Sequence, residues 1–247
     1  MTNPILRRKN NKPRVTSGMQ ITVLTLFPEM FRGILESSIL KRAQEKEAVS
    51  IHCINIRDFS TDSYKTVDDH PYGGGVGMIL RVDVIDRALR AAKSRFPDIP
   101  STVILLDPQG SPYSQKTARR LSTEQHLILI CAHYEGIDER VRELCNQEIS
   151  IGDYIVTGGE IPAMVIIDSV TRLLPGVLKK EQATIHESFE QPLLEYPQYT
   201  RPEEYNGMRV PDILLSGNHK AIGDWRQKEA LRRTTLRRPD LLSQKKA

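Results

Sequence analysis

Three short apolar runs, Val103–Leu106, Leu127–Cys131 and Glu148–Ile151, each break into a glycine-bearing turn. The turns are Asp107-Pro108-Gln109-Gly110, Ala132-His133-Tyr134-Glu135-Gly136, and the stretch from Gly152 to Gly158-Gly159-Glu160. Runs of this length and composition read as fully buried strands. Helical periodicity separates them, as over Asp83–Ser94, where Val84, Ala88, Leu89 and Ala92 form one apolar stripe. Strands alternating with helices across short loops specify an α/β fold whose parallel sheet is covered on both faces. In such sheets ligands bind outside the carboxyl ends of the strands. The three turns therefore predict one pocket, lined largely by backbone groups.

The alternation begins at Met19. Ile21–Leu26 reads as a strand, Pro28 opens a helical stretch to about Glu47, and Val49–Ile56 is a second strand, followed by a long polar loop over Asp58–Gly77. Further helices are expected over Ser114–Leu121, over Ile137–Cys145 and from about Ile161 to Leu173, where Leu174-Pro175-Gly176 ends the pattern. Residues 1–18 lack periodicity and are expected to be a disordered basic tail or a non-native extension. Residues 19–178 form the α/β domain, 179–190 a linker, and 191–247 a small, mainly helical C-terminal domain. In this last part Pro192, Pro197, Pro202 and Pro211 punctuate irregular structure. Helices are expected at roughly His219–Thr234 and Leu236–Leu242, with Trp225 packed between them as core.

Charge separates these parts. Residues 1–18 carry +5 and the chain from Arg201 onward another +5, against +4 for the whole, which leaves −6 for residues 19–200. A mildly acidic body with a basic C-terminal part suits a polyanionic partner, or else a solvated basic surface. No apolar run approaches the roughly 20 residues of a membrane span. The start also lacks the apolar core of a secretory signal, so a cytoplasmic protein is expected. Cys53, Cys131 and Cys145 show no C-x-x-C spacing and read as reduced, buried thiols. The six histidines have no metal-ligand spacing.

Several strings taken together are more specific. They are Asp107-Pro108-Gln109-Gly110, Tyr134-Glu135-Gly136-Ile137-Asp138-Glu139-Arg140, Ser150-Ile151-Gly152-Asp153-Tyr154 and Gly158-Gly159-Glu160. With them go Thr66-Val67-Asp68-Asp69, Pro71-Tyr72-Gly73-Gly74-Gly75, Asp168-Ser169-Val170 with Arg172, Pro197-Gln198-Tyr199-Thr200-Arg201-Pro202 and Leu214-Leu215-Ser216-Gly217-Asn218-His219. In order and number they closely resemble the bacterial tRNA (guanine-N1)-methyltransferases of the SPOUT class, from Met19 to about Leu242. The resemblance implies a parallel sheet with a deep trefoil knot and S-adenosyl-L-methionine held in the knot. It also implies a homodimer with the active site at the subunit interface, and methylation of guanosine 37 in tRNA, 3′ of the anticodon in a G36-G37 context. Composition and periodicity give no sign of a knot. It allows a Mg²⁺ requirement, for which the sequence offers no cage.

Carried onto this chain, the resemblance assigns cofactor contact to Leu105, Leu106, Asp107 and Pro108, to Ala132, Tyr134, Glu135 and Gly136, and to Ser150, Ile151, Gly152, Asp153, Tyr154, Ile155, Val156, Gly158, Gly159 and Pro162. Glycine lets backbone approach a nucleoside closely, while Leu106, Ile151, Ile155 and Pro162 supply apolar contact. Ala132 stands where the family commonly has Gly, and Asp107, where it commonly has Ser, is expected to offer mainly its backbone. The implied general base is Glu187 of Glu187-Ser188-Phe189, where the family commonly has Asp. A carboxylate suits removal of the N1 proton of guanine; the competing reading is a solvated linker charge. Arg172 would stabilise the negative charge that then gathers on O6, or pair with Asp168 one turn away. Glu135 stands between attraction to a sulfonium and a structural acceptor role, and the Asp68–Gly75 loop between RNA contact and plain surface. Arg201, Arg209, Lys220, Arg226, Arg232, Arg233, Arg237 and Arg238 suit phosphate contact in part. A ribose-directed SPOUT enzyme and a non-catalytic RNA-binding homologue are the rival readings. A dinucleotide oxidoreductase is disfavoured because Phe27-Pro28-Glu29-Met30-Phe31 occupies the turn where G-x-G-x-x-G belongs.

Overall fold

The computed structural model describes residues 18–179, 184 and 187–243, so the expected tail up to residue 17 and much of the expected linker lie outside the described residues. The chain divides after Leu178 into two compact units.

In the first unit the elements are β1 (Met19–Thr25), α1 (Arg32–Leu35), α2 (Ser38–Glu45), β2 (Val49–Asn55), β3 (Asp68–Asp69), β4 (Ile79–Leu80), α3 (Val82–Ser94), β5 (Ser101–Pro112), α4 (Gln115–Leu121), β6 (His126–Cys131), β7 (Gln147–Ser150) and α5 (Glu160–Thr171). Five strands make one sheet in the order β2-β1-β6-β5-β7, parallel throughout. Its central strands β1 and β6 are buried at every residue, as a sheet with two covered faces requires. Side chains alternate between two cores. Leu127, Leu129 and Cys131 of β6 join one with α2 and α5, while Ile128 and Ile130 join the other with α3.

Several expected boundaries shift. The first run does not end at Leu106: β5 continues to Pro112 through an irregularity, so Asp107–Gly110 is a bulge inside a strand. A β-carbon on Gly110 would overlap the backbone of Glu148 and Ile149, which is why the strand can rejoin β7 there. The expected α-helix over Ile137–Cys145 is a 3-10 helix, Glu139–Leu144, begun by the Asp138 carboxylate accepting from the Arg140 N–H. The stretch after Pro28 is a 3-10 turn and two short helices, broken before Ser38, whose φ is +48°. Within the polar loop, Asp68–Asp69 pairs antiparallel with Ile79–Leu80.

The second unit holds a two-stranded ribbon, β8 (Glu204–Tyr205) with β9 (Met208–Arg209), and helices α6 (Asp212–Leu215), α7 (His219–Arg237) and α8 (Asp240–Ser243). Asn218 caps α7 by accepting from the Ala221 N–H. Trp225 is half-buried rather than core. Its neighbours on α7 are largely charged, and the buried positions of that helix are Ala230 and Thr234.

Candidate active site

The bulge of β5 and the carboxyl ends of β6 and β7 carry a cavity of about 400 Å³, within the range of small-ligand pockets. All the residues expected at the cofactor line it except Leu105 and Asp153. Leu105 is fully buried on the α3 face of the sheet, since alternation along β5 turns it away from Leu106. Asp153 is exposed at the tip of its turn. The wall also includes Gln109, His133, Ile149 and Thr157. Each lies within or beside a predicted turn, and that adjacency was the available signal.

Close backbone approach holds the walls together. The Gly159 N–H donates to the Ala132 carbonyl at 2.7 Å, and His133 and Gly158 pair as an isolated bridge. A β-carbon on Gly159 would come within 2.5 Å of the Cys131 Cα, so only glycine fits. Gly152 has a φ of +148°, in the region that disfavours side chains, and the Tyr154 ring folds over it with its hydroxyl donating to the Ile151 carbonyl. Tyr134 takes a left-handed φ of +60° without being glycine. Its turn is fixed by Glu135 N–H to Met78 O and Gly136 N–H to His133 O, both 3.1 Å, and by Arg57 donating to the tyrosine hydroxyl at 3.2 Å. Backbone strain over-determined in this way is a common mark of ligand sites.

Asp107 does more than offer backbone. Its carboxylate accepts from the Gln109 N–H at 2.8 Å and lies 3.4 Å from Arg142 Nη2. The Arg142 side chain, 15% exposed, also pairs with Glu139 and Glu148, so one guanidinium ties the bulge of β5 to β7. Glu135 packs its side chain against Gly77, where a β-carbon would strike it. Burial pushes the Cys53 and Cys145 thiols up to about 11 and raises Cys131 well above its ordinary value, which keeps all three protonated and inert near neutral pH; Cys53 and Cys145 are half-buried.

Arg172, the expected catalytic residue of the first unit, does not line this cavity. Arg172 caps the far end of α5, its N–H bonded to Asp168 O at 3.1 Å; ten residues of helix set its backbone about 15 Å from Pro162. Glu187 belongs to the second unit, half-buried, and lines a groove there with Gln191, Tyr196 and Arg226. Arg226 stacks over Tyr196 at 4.8 Å. Among the described residues no group of His, Cys, Asp and Glu is placed to hold a metal ion, and no helix is long and apolar enough to cross a membrane.

Comparison with known proteins decides the family. The model of tRNA (Guanine-1)-methyltransferase TrmD matches residues 19–244. The chain belongs to that family. A protein of Geobacillus kaustophilus named tRNA (guanine-N(1)-)-methyltransferase is 59% identical over 227 residues, 92% of each chain. Proteins of the same name from Bacillus subtilis and Dictyoglomus turgidum are 56% and 55% identical over 225 and 224 residues, covering 91% of this chain and 92% and 90% of theirs. The family match thus takes in both the strand-end cavity of the first unit and the Glu187 groove of the second.

Proposed function

We propose that this chain transfers a methyl group from S-adenosyl-L-methionine to N1 of guanosine 37 in tRNA, where guanosine 36 precedes it, in the cytoplasm. The observation that supports this reading is the glycine-walled cavity, large enough for a small ligand, in a chain of the tRNA (guanine-1)-methyltransferase family. The lining fits the donor. Leu106, Ile151, Ile155 and Pro162 offer apolar contact, and the turns at 132–136, 150–152 and 156–159 offer backbone groups that can read an adenine edge. When bound, S-adenosyl-L-methionine supplies the electrophilic methyl group.

Guanine N1 is a poor nucleophile while it carries its proton. Glu187 removes that proton, a task general bases of this kind accelerate by about 10²–10⁴-fold. Arg172 balances the charge that moves onto O6. Both act, in this reading, in a homodimer whose site forms where one subunit's pocket meets its partner's C-terminal part, and this accounts for Arg172 standing about 15 Å along α5 from the cavity of its own subunit. Helix α5 supports a second copy: apolar side chains face the core, and Ile161 and Val165 remain exposed on the other side. Exposed apolar side chains of this kind, here beside the exposed Asp168, suit burial against a partner. The trefoil knot and the roles of residues 179–190 as linker and 191–247 as tRNA-binding domain belong to the same proposal. Among the described residues no cluster of His, Cys, Asp and Glu forms a cage for Mg²⁺.

The test is a labelled-methyl assay on tRNA transcripts. A G36-G37 transcript should accept label at N1 of guanosine 37, and an A37 transcript should not. Label on ribose, or no affinity for the donor, would overturn the reading.

A further inference from the structure

Behind the cavity wall lies a carboxylate that the proposed chemistry does not use. Glu160, the first residue of α5, is 2% exposed. Its Oε1 accepts from the buried Thr25 hydroxyl at 2.7 Å, and Thr25 Oγ1 in turn accepts from the Phe27 N–H at 2.9 Å. The other oxygen, Oε2, lies 4.0 Å from Nδ1 of His133, about 1 Å beyond hydrogen-bonding contact. Among the described residues that Nδ1 is buried and has no hydrogen-bond partner. Gly158 lies across the gap, where a β-carbon would strike Glu160 Oε2 and come within 2.6 Å of His133 Nδ1. Phe27 and Tyr134 hold the imidazole edge-on at 5.0 and 4.8 Å. His133 itself lines the cavity.

A buried carboxylate has only acceptor sites, and a neutral imidazole has one donor and one acceptor nitrogen. The hydrogen bond made by one ring nitrogen decides what the other can do. We infer that Glu160 and His133 form a positioning pair: the carboxylate, held by Thr25 and by the start of α5, keeps the imidazole proton on Nδ1, so the neutral ring presents Nε2 to the cavity as an acceptor. A neutral acceptor there binds the hydroxyl or ammonium groups of the methyl donor without repelling its sulfonium. This rests on the methyl-donor reading of the cavity. Glu160 is a positioning residue, acting through His133.

The decisive measurement is the ¹⁵N spectrum of the His133 ring in the free, full-length protein, where a protonated and a bare ring nitrogen resonate far apart. The wild type should show a protonated Nδ1 and a bare Nε2. In Glu160→Gln, Thr25 retains the amide oxygen and the amide NH₂ faces Nδ1, so the proton should move to Nε2 and donor affinity by calorimetry should fall about tenfold. Thr25→Val keeps the carboxylate and should keep the wild-type tautomer, which separates the electrostatic effect from general damage. A bare Nδ1 or a doubly protonated ring in the wild type, or an unchanged tautomer in Glu160→Gln, overturns the pair. Absence of donor binding by the wild type would instead overturn the methyl-donor reading, whatever the tautomer.

Discussion

Strands β1 and β6 of the first unit are buried along their whole length and feed two apolar cores. In the second unit only Pro197, Ala230, Thr234 and Leu241 among the described residues are buried, while Tyr199, Tyr205, Met208, Leu215, Leu231 and Leu236 stay exposed. The contrast separates two ways of preparing a site. The strand-end cavity inherits its shape from packed strands, so its geometry exists before any ligand arrives. The second unit is held by local polar contacts and caps, and its exposed arginines and aromatics are what RNA recognition draws on.

Variants can break or sharpen that contrast. The largest effect is expected at Glu187. Glu187→Gln should lower single-turnover methyl transfer by about 10²–10⁴-fold and leave donor affinity by calorimetry unchanged, because the cavity proposed for the donor belongs to the first unit. A parallel loss of donor binding would erase the distinction. Leu129→Ala, at a fully buried centre of β6, should cost about 2–5 kcal/mol in denaturant unfolding.

Acid should strike the first unit by a separate route. His126 is fully buried, hydrogen-bonded to Thr22 Oγ1 at 2.9 Å and packed edge-on against Phe96. Burial drives its pKa down to about 4, against about 6.5 in an unfolded chain. The neutral ring's contribution is therefore complete above pH 6.5 and is lost as pH falls towards 4, roughly 3 kcal/mol in all. Urea unfolding of the wild type should lose that much over this interval, and His126→Gln should flatten the slope. The smallest effect is expected in the second unit. Leu231→Ala, half-exposed on α7, should change stability by less than about 0.5 kcal/mol in the same assay; a loss near that of Leu129→Ala would show a core there that the described burial does not contain.

The strand-helix alternation and the turns after β6 and β7 were legible because glycine and short apolar runs carry strong local signals. The path of β5 through Asp107–Gly110 was not, since Asp-Pro and Gly read locally as a turn, while the contact of Gly110 with the backbone of β7 is long-range. Asp107 was expected to offer mainly its backbone because its partner, Arg142, stands 35 residues away. Glu160 reads in the sequence only as the end of the Gly158-Gly159-Glu160 string, with no role of its own, for a similar reason. An acid opening a helix is ordinarily a solvated favourable charge, and nothing adjacent in sequence announces Thr25 or His133 beside it. Trp225 misled in the other direction: a large apolar residue suggests a core, yet its helix has few buried neighbours.

The contact of Gly159 with the main chain of Cys131 and Ala132 carries a final consequence. At that point two walls of the cavity meet through peptide atoms alone, so their junction tolerates no side chain at position 159. A change in what this crevice accepts must therefore come from the side chains that line it, such as Ala132, Ile151 and Pro162, and not from position 159.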